Sequence, residues 1–399
     1  MKDQAKIIPF PTSEAVYLAA GAINNLIQPL PAGTDYFIGI VLIVMMTGHL
    51  SQAKGSLARA VFPFVCHLKW GWHSAERALE RGKFSVDQLF DLAFEWSLTQ
   101  LEAERVRLGS QEREVAVIDT STIARFRAVK RLETGGKAYW GRAGKAVRAN
   151  IVAAVASIVL IDGKRMGIVR RTRFGESCEQ AIKQLWSELP ACTGQRLIVV
   201  DAGIATKDQF SEATAESALL GRLRINVRLR LKPEPRQGKR GPHPKHGAVF
   251  HPGDEFVEPA ADESFWVKEE GRGIRLRRWN EVHFQEQAQT VLDVVRVDDP
   301  KYDKPLVIGT TARELTTEEC FTGYKLRPCI ETNFYVGQDT CAMEQPRAVT
   351  ELAVTRRISL ALLSGCLLKA IAAKCEPIAL GPWDRKPERT AGRLANFLS

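Results

Sequence analysis

IVAAVASIVLIDGKRMGIVRRTRF, residues 151–174, consists of two β-rich runs, the first apolar and the second studded with Lys and Arg, separated by Asp162-Gly163. Asp-Gly tolerates the positive φ angles of a two-residue hairpin turn, so the stretch reads as two antiparallel strands. Further β-rich runs lie on both sides: EVAVID at 114–119, RLIVVD at 196–201 and LLGRLRINVRLR at 219–230. Between the later runs sit two helical patterns, SCEQAIKQLWSEL and KDQFSEATAESA. A hairpin combined with alternating strands and helices predicts a mixed α/β (α+β) fold, a sheet with helices packed on it.

Outside this core the texture changes. Residues 1–111 read as an all-helical N-terminal domain, broken at PLPAGTD. Ser85 and Gln88 form a capping box that opens a helix with Phe90, Phe94, Leu98 and Leu101 on one side. The first part of the core spans 112–231. Residues 232–303 read as a β-rich basic insertion, opening with KPEPRQGKRGPHPKHG and carrying Trp266 and Trp279. The core resumes at KPLVIGTT and runs over 304–375, mostly as helix from 328 to 374, and 376–399 is expected to be a loosely ordered tail.

Composition narrows the function classes. The 399 residues contain 26% charged side chains, which is not the make-up of a disordered chain. Lys and Arg outnumber Asp and Glu by 56 to 46, and the excess is clustered, pointing toward a polyanionic partner. The eight cysteines include no CxxC pair, so neither a zinc ribbon nor a disulfide framework is indicated. The most apolar run, FIGIVLIVMM at 37–46, is shorter than the ~20 residues a bilayer crossing needs and reads as a buried helix. MKDQAKIIPFPTSE lacks the apolar stretch of a signal peptide, so a reducing cytoplasm and no membrane association are expected.

Several familiar sites are set aside. GRAGK at 141–145 lacks the spacing of a phosphate loop, and no GxGxxG follows a strand. His243, His246 and His251 have no acidic or Cys partner at ligand spacing and read as part of a basic loop. Asp119 and Asp201 remain, each at the end of an apolar run, where an open sheet keeps its ligands. Taken singly, each is also explained as a cap or turn residue. Taken together on neighbouring strands they would repel unless a cation lay between them, and hard divalent ions prefer such oxygen ligands.

A third carboxylate comes from YKLRPCIETNFYVGQ, residues 324–338, in which Tyr324, Arg327, Glu331 and Gln338 are spaced as a stripe on one side of a helix. Pro328 suits a first helical turn, so Glu331 would lie near that positive helix end and Tyr324 and Arg327 would precede the helix or occupy its entry. Arg327 could grip a phosphate, while Tyr324 could stack or donate a hydrogen bond. A solvated helix face would carry such residues as well.

The stretch resembles the Y-x2-R-x3-E-x6-K signature of bacterial insertion-sequence DDE transposases, with Tyr324, Arg327 and Glu331 matching and Gln338 standing where that family usually has Lys. VIDTS around Asp119 and VVDAG around Asp201 resemble the family's first two acidic motifs, and KRGPHPKHG resembles a segment of its insertion. The resemblance covers roughly 112–375. It implies an RNase H-like catalytic core, with Asp119, Asp201 and Glu331 binding Mg²⁺, or Mn²⁺ in its place. It also implies cleavage of transposon ends and strand transfer into target DNA. Further implications are terminal inverted repeats bound by the N-terminal domain and a homodimer holding two ends.

DNA contacts are expected from Tyr324, Arg327 and Gln338, and from Trp266 and Trp279 of the insertion, although each tryptophan alone reads as a packing residue. Alternation would put Arg222, Arg224, Arg228 and Arg230 on one strand face, continued by Lys239 and Arg240 as a backbone track. A solvated edge strand would show the same pattern. Arg125, Arg127, Lys130 and Arg131 form a second basic group. A metal-dependent nuclease without strand transfer and a decayed DNA-binding relic share most of these features. Gln338, which lacks the ammonium of Lys, keeps the relic in view.

Overall fold

In a computed structural model of the chain, residues 13–62, 73–125, 135–140, 143–233, 247–254, 259–348, 350–381 and 383–399 are described. Six helices come first: α1 Ser13–Ile27, α2 Thr34–Met46, α3 His49–Gln52, α4 Leu57–Val61, α5 His73–Arg81 and α6 Val86–Gln100. Strands β1 Glu104–Arg105, β2 Arg107–Leu108, β3 Arg113–Ala124, β4 Gly135–Trp140, β5 Lys145–Ile161 and β6 Lys164–Gly175 follow. Helix α7 Cys178–Ser187, β7 Arg196–Val200, α8 Lys207–Glu212 and β8 Ser217–Arg222 then alternate. Next come β9 Leu229–Arg230, β10 Val249–Phe250, β11 Glu263–Glu269, β12 Arg272–Phe284, β13 Gln287–Asp298 and β14 Leu306–Thr310. The chain closes with α9 Thr317–Tyr324, α10 Pro328–Asp339, α11 Glu351–Lys374 and α12 Ala391–Leu398. The class is therefore mixed α/β.

These elements form two compact units. The first comprises the described residues of Met1–Glu104, Thr120–Pro190 and Cys329–Ser399. The expected hairpin is there: β5 and β6 pair antiparallel from Ile151↔Gly175 to Ile161↔Lys164, and Asp162 and Gly163 have φ values of 47° and 75°. Helix α11 is apolar on nearly every side and buried along most of its length, which is how a helix without a polar face must sit. It packs against α1, α2, α5, α6 and β6, so the N-terminal helices share this unit instead of forming a separate domain as their composition suggested. Polar seams fix the packing: Asp91 of α6 accepts from Arg170 and Arg171 of β6 at 3.0 and 2.8 Å, and Asp87 accepts from Arg173 at 2.7 Å. The arginines of RRTRF are thus committed to the fold.

FIGIVLIVMM lies within α2, and among the described residues no helix is long and apolar enough to cross a membrane. Ser85 caps α6, its hydroxyl accepting from Gln88 N, but this is the N-cap half of the expected capping box only. The tail is more ordered than expected. Ile378 is buried and bridges Glu388, Arg389 pairs with Asp162, and α12 packs on α11. The physical reason is that Ile378, Leu394 and Ala395 supply apolar surface within a polar stretch.

The second unit comprises the described residues of Arg105–Asp119 and Ala191–Pro328. Strands β3, β7 and β8 are parallel neighbours, while β14, β13 and β12 extend the sheet antiparallel, giving a mixed sheet. β11 and β9 pair with β12, so the region expected to be β-rich is strand-built where it is described. LLGRLRINVRLR is not one strand. β8 ends at Arg222, a turn closes with Val227 N–H donating to Arg224 O at 3.0 Å, and only Leu229–Arg230 resumes as β9. The expected single face of four arginines is therefore not formed. Arg278 of β12, in a buried ion pair with Asp293 of β13, donates to Leu315 O and Arg313 O, and Arg113 pairs with Glu314, which together pin the sheet to the segment before α9.

Candidate functional site

Five of the sequence-selected side chains meet in the second unit, beginning with the parallel pair β3 and β7. Their register ends at Ile118↔Val200, so Asp119 and Asp201 follow directly on adjacent strands. Asp201 lies in the turn after β7, where its carbonyl accepts from Ile204 and Ala205 N–H at 2.9 Å each. Asp119 is not at a strand end as expected. β3 runs on to Ala124, and what stops at this level is its β7 partner, leaving the carboxylate half-buried at the point where the ladder opens.

The stretch 324–338 is divided between two helices and is not one helix. Tyr324 is the last residue of α9, whose start is fixed by a Thr316/Glu319 capping box, and α10 begins at Pro328. The three residues between them turn, with Arg327 N–H donating to Tyr324 O at 3.1 Å. Tyr324 OH donates to Asp201 Oδ1 at 2.9 Å, and Arg327 Nη1 stands 3.5 Å from Asp119 Oδ2. Arg222 Nη1, at the end of β8, is 4.0 Å from Asp201 Oδ1.

These partners set the protonation states. Burial pulls the Asp201 carboxyl upward but is outweighed by the Ala202 N–H, the Tyr324 hydroxyl and the Arg327 and Arg222 charges, so it lies below the ordinary carboxylate value. Burial, the Asp201 charge and the donated hydrogen bond raise Tyr324 well above the ordinary phenol value, keeping it a donor at neutral pH. Beside these groups opens a cleft of about 750 Å³, lined among others by Arg222, Arg272, Tyr302, Phe321, Tyr324 and Arg327. Lysines, arginines and aromatic rings share this lining with Glu269, Glu270, Asp299 and Asp303, so the positive charge of the cleft is partly offset.

Glu331 and Gln338 belong to the first unit. Glu331 is exposed in the first turn of α10, as the Pro328 start predicted. Gln338 Nε2 donates to Ser121 Oγ at 2.8 Å, and Ser121 shares a face of β3 with Asp119 because strand side chains alternate. Alternation from Asp119 was the available signal for Ser121. Two residues carried no such signal. Asn333, buried on α10, donates to Gly167 O at 2.8 Å and accepts from Lys369 Nζ of α11 at 2.6 Å. They hold the helix that carries Glu331 against β6.

The remaining candidates divide. Trp266 is exposed on β11, while Trp279 is buried, packs near Phe250 and donates its indole N–H to Pro259 O at 3.1 Å. In this conformation Trp279 is a packing residue and presents nothing to a ligand. Arg224 and Arg228 are exposed, and Arg230 is half-buried with Nη1 3.4 Å from Gly247 O. His251 is half-buried and Arg125 donates its backbone N–H to Arg148 O. Lys239, Arg240, His243, His246, Arg127, Lys130 and Arg131 lie outside the described residues.

Among the described residues no group of three or more His, Cys, Asp or Glu side chains is arranged to hold a metal ion. The donor chemistry at Asp119 and Asp201 nevertheless fits a hard cation, because Mg²⁺ is commonly held by one or two carboxylates with substrate phosphate oxygens completing its shell. Neither a protein-family model nor a curated protein matches the chain.

Proposed function

We propose that the chain is a DNA transposase of the DDE class, built on an RNase H-like core, that cleaves transposon ends and joins them to target DNA. The observation that carries this reading is the convergence of four residues from three separate motifs. Asp119 and Asp201 follow paired residues on adjacent parallel strands, and Tyr324 and Arg327 of the signature stretch bond to one each. Chance spacing along the sequence would not bring these side chains together. The parallel neighbours β3, β7 and β8, with Asp119 on the first and Asp201 just after the second, support the RNase H-like assignment.

Asp119 and Asp201, with Glu331 as the third carboxylate of the motif, would hold Mg²⁺ or Mn²⁺. When bound, such ions activate water and stabilise a leaving oxygen in phosphodiester chemistry. The chain's own groups bind and orient the DNA. Arg327 and Arg222 present guanidinium forks to a phosphate, and Tyr324 offers its hydroxyl. Trp266 and the exposed Arg224 and Arg228 extend the contact outward along the backbone. Water attacks phosphorus and breaks the bond to the 3′ oxygen, and the freed 3′-hydroxyl then attacks a target phosphorus, displacing the target strand's own 3′ oxygen as a hydroxyl. The partners are double-stranded terminal repeats and target DNA, held by a homodimer in the cytoplasm.

The test is a joining assay with linear DNA carrying the element's own ends, a plasmid target and Mg²⁺. Covalently joined products support the proposal. Cleavage without joining supports instead a metal-dependent nuclease, and binding with neither supports a relic whose Gln338 marks its decay.

A further inference from the structure

Two carboxylates side by side need compensating positive charge. Here Arg327 Nη1 lies 3.5 Å from Asp119 Oδ2, and Asp201 Oδ1 has the Tyr324 hydroxyl at 2.9 Å and Arg222 Nη1 at 4.0 Å. A hard divalent cation would draw on the lone pairs of these same carboxylates. Arg327 would also repel an incoming cation directly, since charges a few ångströms apart and partly shielded from water interact strongly. Yet Tyr324 and Arg327 also line the cleft of about 750 Å³. A guanidinium accepts a carboxylate and a phosphate in the same bidentate geometry, so a phosphodiester in the cleft and the aspartates compete for one set of donors.

We infer that Tyr324 and Arg327 hold Asp119 and Asp201 in a charge-compensated state, and that a DNA phosphate in the cleft draws them off and raises the affinity of the aspartates for a divalent cation. This rests on the transposase reading and adds to it an order of events: DNA first, cation second. The coupling is reciprocal, so a bound cation also favours phosphate binding. Its use is to keep a cutting centre unassembled until DNA is seated.

The test is the Mn²⁺ affinity of the full-length chain without DNA, read as free Mn²⁺ by electron paramagnetic resonance. Tyr324→Phe, which removes one oxygen and no charge, and Arg327→Gln are expected to bind Mn²⁺ at least about fivefold more tightly than wild type. Lys325→Gln is the control. Lys325, between Tyr324 and Arg327 in the sequence, pairs with Glu269 of β11, and its loss should leave Mn²⁺ affinity unchanged. A double Asp119→Asn, Asp201→Asn variant should bind more weakly. Thermal melting establishes that each variant folds, and Tyr324→Phe carries the test if Arg327→Gln does not. No tightening in Tyr324→Phe, or equal tightening in Lys325→Gln, overturns the linkage while leaving the metal site standing. Unchanged Mn²⁺ binding in the double Asn variant overturns both.

Discussion

The Tyr324 hydroxyl donates to Asp201 Oδ1 at 2.9 Å, joining residues 123 positions apart in the chain. The bond helps hold the Asp201 carboxyl below its ordinary value of 3.8. A carboxyl depressed in the folded state stabilises the fold above its unfolded value, and that contribution is lost as pH falls through the lower folded value. Tyr324→Phe should therefore cost about 1 kcal/mol at neutral pH, the net worth of a hydrogen bond. The difference from wild type should shrink below pH 3.8. Urea unfolding at a series of pH values measures it, and a difference that stays constant through the acid range would show that the bond does not act on Asp201.

Arg278 and Asp293 form an ion pair with both side chains buried in the second unit. Removing one partner leaves the other charge buried without compensation, so Asp293→Ala should lose about 3–5 kcal/mol. The double variant with Arg278→Met should regain most of that loss. Unfolding curves of the two proteins decide it, and a double variant no more stable than the single one would place the cost in packing.

Asn333 is fully buried and serves both Gly167 O and Lys369 Nζ. Asn333→Ala removes the donor to Gly167 O and one of the Lys369 ammonium's acceptors, leaving it Thr332 Oγ1 and Cys329 O, and should cost about 1–3 kcal/mol. Hydrogen exchange should show faster exchange in α10 than in α11. Uniform acceleration of both helices would mean that Asn333 stabilises the unit without anchoring α10 in particular.

Gly163 has a φ of 75°, and a Cβ built there meets nothing within 4 Å. The whole cost of Gly163→Ala is therefore backbone strain, about 1–2 kcal/mol. Gly163→Asn should cost less, because Asn enters this region more readily. Denaturation midpoints of the two variants test the order.

The hairpin, β7 and α7 were legible because each is governed by local chemistry: a turn dipeptide, a run of Val and Ile, an amphipathic spacing. That Asp119 and Asp201 follow paired residues was legible from the unbroken runs before them, but that β3 continues past Asp119 was not. Arg224 and Arg228 were misplaced because the alternation of LLGRLRINVRLR continues through a turn that tertiary packing imposes. The break between Tyr324 and Pro328 was only half-visible, as proline marks where α10 starts but not where α9 stops. The grouping of the N-terminal helices with α11, and the burial of Trp279 beside Phe250, depend on contacts between distant segments that spacing does not encode. Lys369 lies in a run of apolar residues, where its partners on α10 could not be foreseen.

The most direct measurement is Mg²⁺-dependent cleavage of a supercoiled plasmid carrying the element's own flanking ends, with wild type beside Asp119→Ala, Asp201→Ala and Glu331→Ala. Wild type should cut at the ends, and each variant should bind DNA fully without cutting it. Wild type that binds the ends but never cuts in Mg²⁺ or Mn²⁺ would contradict the transposase reading, and so would cutting that survives loss of Asp119 or Asp201.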